Sequence, residues 1–453
     1  MHQPSVFFVG HPEEVSHHAA PFRKRLNIQI ADPERVSPIS KPGDLAIFFS
    51  EHFDRFRNCC QQLQKQNVAT LYMVDGILEW RNAWENRADE VACPYTMRPV
   101  LADKVACIGE SQARILRSWG NTGKTEIVGI PRLDSGNNTG KRKPNRSQSF
   151  GENATFRVLV MTAKTPGFTP EQVATTKQSL LDLKSWLDKN STLNQVPIEF
   201  VWRLTGGLSS DIGVENNLSD LTGKELGEVL NQVDAVITTP STAMLEAMLL
   251  DLPVAVLDYH NCPHYVNAGW DICKRDHIGP AIRQMADRVE KRMLFQRTEL
   301  DNALYVADSG APNATDRIVE LCNSMLSIAS DQIANGASVL NFPAHILQPV
   351  STRTSKFCHE LAYPDAAEFA EKDLTLNQVE LSHARREIVH LQKEMAQLQS
   401  ELDQAHQIFE TIEKHPIAGP VVRIRQKMLD LMSAIRIRKN KLESPNKIET
   451  RTN

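Results

Sequence analysis

The stretch DAVITTPSTAMLEAMLLDLPVAVLDYHN, residues 234–261, constrains the fold more than any other part of the chain. A short β-branched run at 235–237 stops in Thr-Thr-Pro-Ser-Thr, a helix-forming run follows at 243–250, and a second apolar run occupies 254–258. The pattern is strand, tight turn, helix, strand. Ser241 or Thr242 is the candidate N-cap, and backbone N–H groups at such a turn would point at an anion, a phosphate above all. Glu246 is the single carboxylate of the helical run.

The same alternation runs through most of the chain. Apolar runs at 5–9, 45–49, 70–74, 104–108 and 126–128 are separated by amphipathic stretches such as 52–66 and 111–119. Strands separated by helices imply parallel βαβ units, whose active surface lies at the carboxyl ends of the strands. Residues 136–154, GNNTGKRKPNRSQSFGENA, are polar, basic and nearly free of large apolar side chains, which is linker composition. A second block then opens with a strand at 156–161, a helix at 171–187 and a strand at 198–204. After the opening stretch it closes with helices at 277–297 and 316–327. The expected fold is α/β, two Rossmann-like halves (1–135 and 155–330) joined by the linker at 136–154 and facing a cleft.

A chain of 453 residues, 41% hydrophobic and 23% charged, can bury more than one core, as this division requires. A net charge of -4 gives no overall pull toward nucleic acid, and no nucleic-acid module is recognisable. The eight cysteines form no Cys-x-x-Cys, which argues for reduced thiols rather than a zinc site or a disulfide framework. The opening MHQPSVFFVGHPEE lacks a basic, long-apolar leader pattern, and no uninterrupted apolar run reaches about 18 residues. A soluble, cytoplasmic protein is expected.

Residues 331–372 show no clear period and read as surface loop. Over 373–413 the pattern becomes heptad. Leu374, Leu381, Ile388, Met395, Leu402 and Phe409 fall seven apart, interleaved with Asn377, Ala384, Leu391, Leu398, Ala405 and Ile412. This predicts a coiled coil and a homodimer through residues 374–412, with Asn377 helping to set register; a single helix packed back on the chain is the alternative. The tail, 416–453, begins with the helix breakers Pro416 and Pro420. Its residues 416–447 carry eight Lys/Arg against two acids, interleaved with Val421, Ile424, Met428, Leu431, Met432 and Ile435. A basic amphipathic helix of this kind can lie on an anionic membrane surface, here the inner face, and a solvated helical tail is the alternative.

The segment order, the linker and the PSTAMLEAMLLDLPVAV block together resemble GT-B nucleotide-sugar glycosyltransferases and the related UDP-N-acetylglucosamine 2-epimerases. LADKVACIGESQARILRSWG followed by KTEIVGIPRLD adds to the likeness, looking like the family's strand, helix and "VxGxPRxD" exit into the linker. The resemblance covers residues 1–330 at the level of architecture. It implies that Ser241 and Thr242 receive the donor's diphosphate and that Glu246 holds its ribose hydroxyls. The family often has Ser-Gly where this chain has Ser-Thr, which would shift contact from bare backbone toward hydroxyls. A structural reading of the same residues makes Ser241 a helix cap and Glu246 a solvated side chain. Arg132, near the end of the first half, would approach a phosphate or form an ion pair with Asp134.

Asp75, just after an apolar run in TLYMVDGILEWRN, stands where relatives often have His-Gly or another polar residue. A carboxylate at a strand end can act as general base for an acceptor hydroxyl or simply bind hydroxyls, and Glu79 is a rival for the role. His11, in VGHPEE after the first strand, is a second candidate base, since neutral imidazole is suited to pH 7. On the donor side, Lys164 in TAKTPGFT and Arg203 in WRLTGG follow strands and could neutralise a leaving diphosphate, surface solvation being the bland reading of each. The loop DYHNCPHYVNAGW offers Tyr259, His260, Asn261, His264, Tyr265 and Trp270 for stacking on a ring or bonding to hydroxyls. His260 and His264 are four apart, but Pro263 opposes a metal-binding helix.

GNTGKT, residues 120–125, resembles the end of a P-loop but precedes a strand and reads as a turn. No Asp-x-Asp occurs, so metal-independent transfer with no cofactor is expected. The expectation is thus a glycosyltransferase moving a sugar from a nucleotide-sugar donor to a polysaccharide or cell-envelope acceptor. A nucleotide-sugar 2-epimerase, or a non-catalytic scaffold assembled through the coiled coil, are the alternatives.

Overall fold

The computed structural model describes residues 3–85, 97–134, 155–215, 219–308, 310–350, 388, 390–407, 424–425 and 427–435. The chain divides into two compact units, Met1–Tyr363 and Pro364–Asn453. The first unit holds two six-stranded sheets. Strands β1 (Val6–Val9), β2 (Ile28–Ala31), β3 (Leu45–Phe48), β4 (Ala69–Met73), β5 (Lys104–Cys107) and β6 (Thr125–Ile127) form one, in the order β2-β1-β3-β4-β5-β6. Strands β7 (Phe156–Met161), β8 (Thr192–Leu193), β9 (Val196–Arg203), β10 (Ala235–Thr238), β11 (Val254–Leu257) and β12 (Trp270–Ile272) form the other, in the order β12-β11-β10-β7-β9-β8. Every pairing is parallel except β8 with β9.

Helices cover both faces of each sheet, so the central strands are buried on both sides. This is why VFFV, LAIF, AVIT and VAVL read as continuous apolar runs rather than alternating ones. The expected architecture of two Rossmann-like halves is observed. Three strands escaped the sequence reading, among them the two-residue β8. β2 is an edge strand carrying Gln29 and is only partly buried, and β12 has three residues with Asp271 exposed at its centre.

The expected helix at 277–297 is two helices, Arg275–Ala286 and Glu290–Ala303, broken where Arg288 adopts a left-handed φ of 47°. The last long helix, Ala314–Ala334, starts in a capping box of Asn313 and Asp316. Although it follows the second half in sequence, it packs into the first half's core. Ile318, Leu321, Cys322 and Met325 lie there among Val6, Phe8, Ile47 and Leu71. Leu347, at the end of irregular residues 335–350, is buried with them.

The expected linker at 136–154 lies outside the described residues, as do residues 351–372 of the expected loop. In the second unit, residues 390–407 and 427–435 are helical. Of the heptad positions, Leu374, Asn377, Leu381, Ala384, Phe409 and Ile412 lie outside the described residues; Ile388, Leu391 and Met395 are exposed. Residues 416–423 and 436–453 of the basic tail are likewise outside them. No described helix is long and apolar enough to cross a membrane.

Candidate active site

Strand order locates the crevices. In the second sheet the chain runs outward from β7 to β9 and then returns across β7 to β10, so the order reverses between β7 and β10. In the first sheet the reversal falls between β1 and β3. Open α/β sheets bind ligands outside the carboxyl ends of the strands at such points. The 238–242 turn and Lys164 follow β10 and β7, and Arg203 ends β9. The loops here are tied by hydroxyls. Thr239 Oγ1 accepts from the Ala163 amide at 2.7 Å, Thr162 Oγ1 accepts from the Thr205 amide at 2.9 Å, and Ser241 Oγ lies 3.3 Å from Thr238 Oγ1.

Thr242 begins the helix Ala243–Leu249 without capping it by side chain. Its hydroxyl instead accepts from the Ile77 amide, in the loop after β4, at 3.1 Å. Glu246 pairs with Arg132 at 3.3 Å, and Arg132 Nη1 also donates to the Asp75 carbonyl at 3.1 Å. Arg132 therefore does not pair with Asp134. The Asp134 carboxylate is taken up at the start of the helix Ala314–Ala334, accepting from the Ala314 and Thr315 amides at 3.0 and 2.7 Å. Arg203 donates to the Lys224 carbonyl at 2.7 Å, and Lys164 is exposed. Tyr259 hydrogen-bonds Asp182 at 3.1 Å, on the helix Pro170–Lys189, and Asn261 is exposed with a left-handed φ of 52°.

In the first half, Asp75 meets a histidine the sequence reading did not single out. His18, on the helix Pro12–Ala19 after β1, places Nε2 3.3 Å from Asp75 Oδ2. Its ring stacks on Phe49, just after β3, with centroids 4.3 Å apart, and lies 3.8 Å from the His17 ring. Burial drives the His18 pKa down to about 4, aided by His17 and Arg132 and opposed by Asp75. His18 is thus neutral at pH 7. His11 sits at the exposed N-cap position of the same helix. The two adjacent histidines at the end of that helix were the available signal.

Glu79 is bound to Arg81, a guanidinium only 2% exposed. Burial lifts the Glu79 carboxyl above its ordinary value, with Arg81 opposing. They line a small hollow together with Asp258 and His264 of the second half. There His264 Nε2 is 3.0 Å from Asp258 and Nδ1 is 3.5 Å from Asp271. Burial alone would lower the His264 pKa, but hydrogen bonds to both carboxylates outweigh it and raise it to about 9. Burial likewise works against the Asp258 carboxylate, yet the bond and charge of His264 hold it below its ordinary value. Beside this hollow, Tyr265 accepts from Trp84 Nε1 at 2.8 Å and packs near Trp80 and Trp119, so this aromatic residue of the loop serves contact between the halves. Trp270 is a core residue of β12. Among the described residues no group of three His, Cys, Asp or Glu could hold a metal ion.

Solved structures similar to the chain include the wall teichoic acid polymerase TagF, with 13% identity, a TM-score of 0.44, and 73% of this chain and 89% of that one covered. They include S. aureus MnaA in a co-structure with UDP, with 12% identity, a TM-score of 0.46, and coverage of 72% and 97%. A UDP-GlcNAc 2-epimerase from Methanocaldococcus jannaschii, in complex with UDP-GlcNAc and UDP, has 10% identity, a TM-score of 0.45, and coverage of 71% and 99%. One of the two kinds of protein the sequence resembles is thus among the structures similar to it. No protein-family model matches the sequence, and no curated protein does.

Proposed function

We propose that this chain transfers a sugar from a nucleotide-sugar donor, held by the second half, to a glycan or envelope acceptor hydroxyl held by the first. One observation carries the reading. Ser241, Thr242 and Glu246 follow the strand at the reversal point of the second sheet and face Asp75 and Arg132, which follow strands of the first. Glu246 accepts from the ribose hydroxyls, and Ser241 and Thr242 meet the diphosphate. Lys164, Arg203 and the His264 imidazolium offset its charge as the bond from the sugar's anomeric carbon to phosphate oxygen breaks. Tyr259 and Asn261 border the donor loop. Asp75 accepts the proton of the acceptor hydroxyl as that oxygen bonds to the anomeric carbon, and neutral His18 donates Nε2–H to hold the carboxylate. The exposed His11 and the Arg81-bound Glu79 take no proton in this scheme.

Calorimetry with nucleoside diphosphates tests the donor site: Glu246→Ala should weaken binding about tenfold, on the order of a charge-assisted hydrogen bond to hydroxyls. Unchanged affinity removes the assignment. Release of an altered sugar nucleotide without any acceptor identifies an epimerase instead.

Residues 374–412 form a homodimeric coiled coil in this reading, supported by exposed Ile388, Leu391 and Met395. The 416–447 segment lies on an anionic membrane surface, supported by exposed Leu429, Leu431 and Met432 beside Arg425 and Lys427. Sedimentation of a chain ending at Ala370 should show self-association lost, and a persistent dimer refutes the seam. Flotation with anionic vesicles should be abolished by salt, and no flotation at low salt refutes the membrane contact.

A further inference from the structure

The two halves meet along a strip of contact that includes Glu246. Thr242 Oγ1 holds the Ile77 amide, while buried Gln112 donates to the Gly76 carbonyl at 2.8 Å and fixes the same loop from the first half's own side. Gly76 fits only because it lacks a side chain, since a β-carbon there would overlap Thr242 Oγ1. One turn along the helix from Thr242, Glu246 is engaged by Arg132, whose guanidinium also holds the Asp75 carbonyl. Two small hollows border the loop that carries Gly76. Met73, Val74 and Asp75 line one with His18 and Arg132. Ile77 to Arg81 line the other with Asp258 and His264. No residue lines both, and Gly76 lies between the two runs.

Transfer needs the acceptor's base and the leaving group's cation in one cavity. We propose that Thr242 on Ile77 and Arg132 on Glu246 form a latch between the halves, which a nucleotide opens by taking Glu246 from Arg132. Opening lifts Thr242 off Ile77 and merges the two hollows. This rests on the reading of Glu246 as the ribose ligand. Both contacts are of a kind that a ligand can replace. The Arg132–Glu246 pair is partly exposed, with side chains 42% and 22% accessible, so it resists opening only weakly.

The test uses the full chain with UDP, CDP, GDP and ADP. Arg132→Ala should bind the preferred nucleotide about three- to fivefold more tightly, because an exposed ion pair no longer competes. Weaker binding would make Arg132 a phosphate ligand and overturn the latch. Gly76→Ala prises the same contact by a different route. In both variants hydrogen exchange of the peptide spanning Gly76 and Ile77 should accelerate without nucleotide, and in the unaltered chain it should accelerate on nucleotide binding. Unchanged exchange in both variants overturns the latch whatever binds. If no nucleotide binds, the proposal falls with the donor reading, and accelerated exchange in the variants then places the fault in the ligand rather than in the contact.

Discussion

Two histidines face the cleft from opposite halves and are driven in opposite directions. Burial lowers the pKa of both, so burial does not separate them. His264 sits between two carboxylates, Asp258 at 3.0 Å and Asp271 at 3.5 Å, the first of them 2% exposed. His18 has one carboxylate, Asp75, which is 51% exposed, and is opposed by His17 and Arg132. A buried carboxylate keeps its charge only with a partner, and it returns that stabilisation to the imidazolium. The halves therefore present different groups to a ligand, a neutral donor on one side and a cation on the other. That division suits a reaction in which a proton is taken on the first side and negative charge accumulates on the second.

The largest expected effect comes from breaking the stronger pair. Asp258→Asn leaves a buried cation without its main partner and should cost about 3 kcal/mol of stability in denaturant unfolding. A loss below about 1 kcal/mol would mean that His264 is not charged.

The pH dependence comes next and differs in sign between the two sites. The folded pKa of His264, about 9, lies above the ordinary imidazole value of 6.5, so its contribution is complete below 6.5 and is lost as pH rises through 9. His18 folds with a pKa of about 4, so its contribution is present above 6.5 and is lost as pH falls toward 4. Each is worth at most about 3.5 kcal/mol, a tenfold change in proton affinity being about 1.4 kcal/mol. His264→Gln should flatten the stability profile between pH 6.5 and 9, and His18→Phe the profile between pH 4 and 6.5. Identical profiles in the two variants would erase the contrast.

The contrast itself was barely visible in the sequence. The parallel strands and the 234–261 unit were legible because continuous apolar runs bounded by turn residues have few other uses. Asp75 and Glu246 were singled out because each follows such a run. His18 was not, because a histidine late in an amphipathic helix, even beside a second one, does not show which way it faces. It does so only because β1 and β3 are neighbours and bring Phe49 beneath it. Strand order also decides which loops share a crevice, and it is a non-local property. The return of helix Ala314–Ala334 to the first half, and the pairing of Arg132 with Glu246 rather than Asp134, depend on contacts more than 100 residues apart in sequence. The hydroxyl of Thr242 was read as a candidate helix cap or phosphate ligand, and its engagement with Ile77 could come only from the approach of the two halves.

The smallest but most direct measurement is thermal stabilisation by a panel of nucleoside diphosphates, on the unaltered chain and on Glu246→Ala. A ligand at about a hundred times its Kd raises stability by about 2.7 kcal/mol through mass action. One nucleotide should stabilise the unaltered chain by that amount and the variant by clearly less. Equal stabilisation of both, or none by any nucleotide, would contradict a donor site built on Glu246.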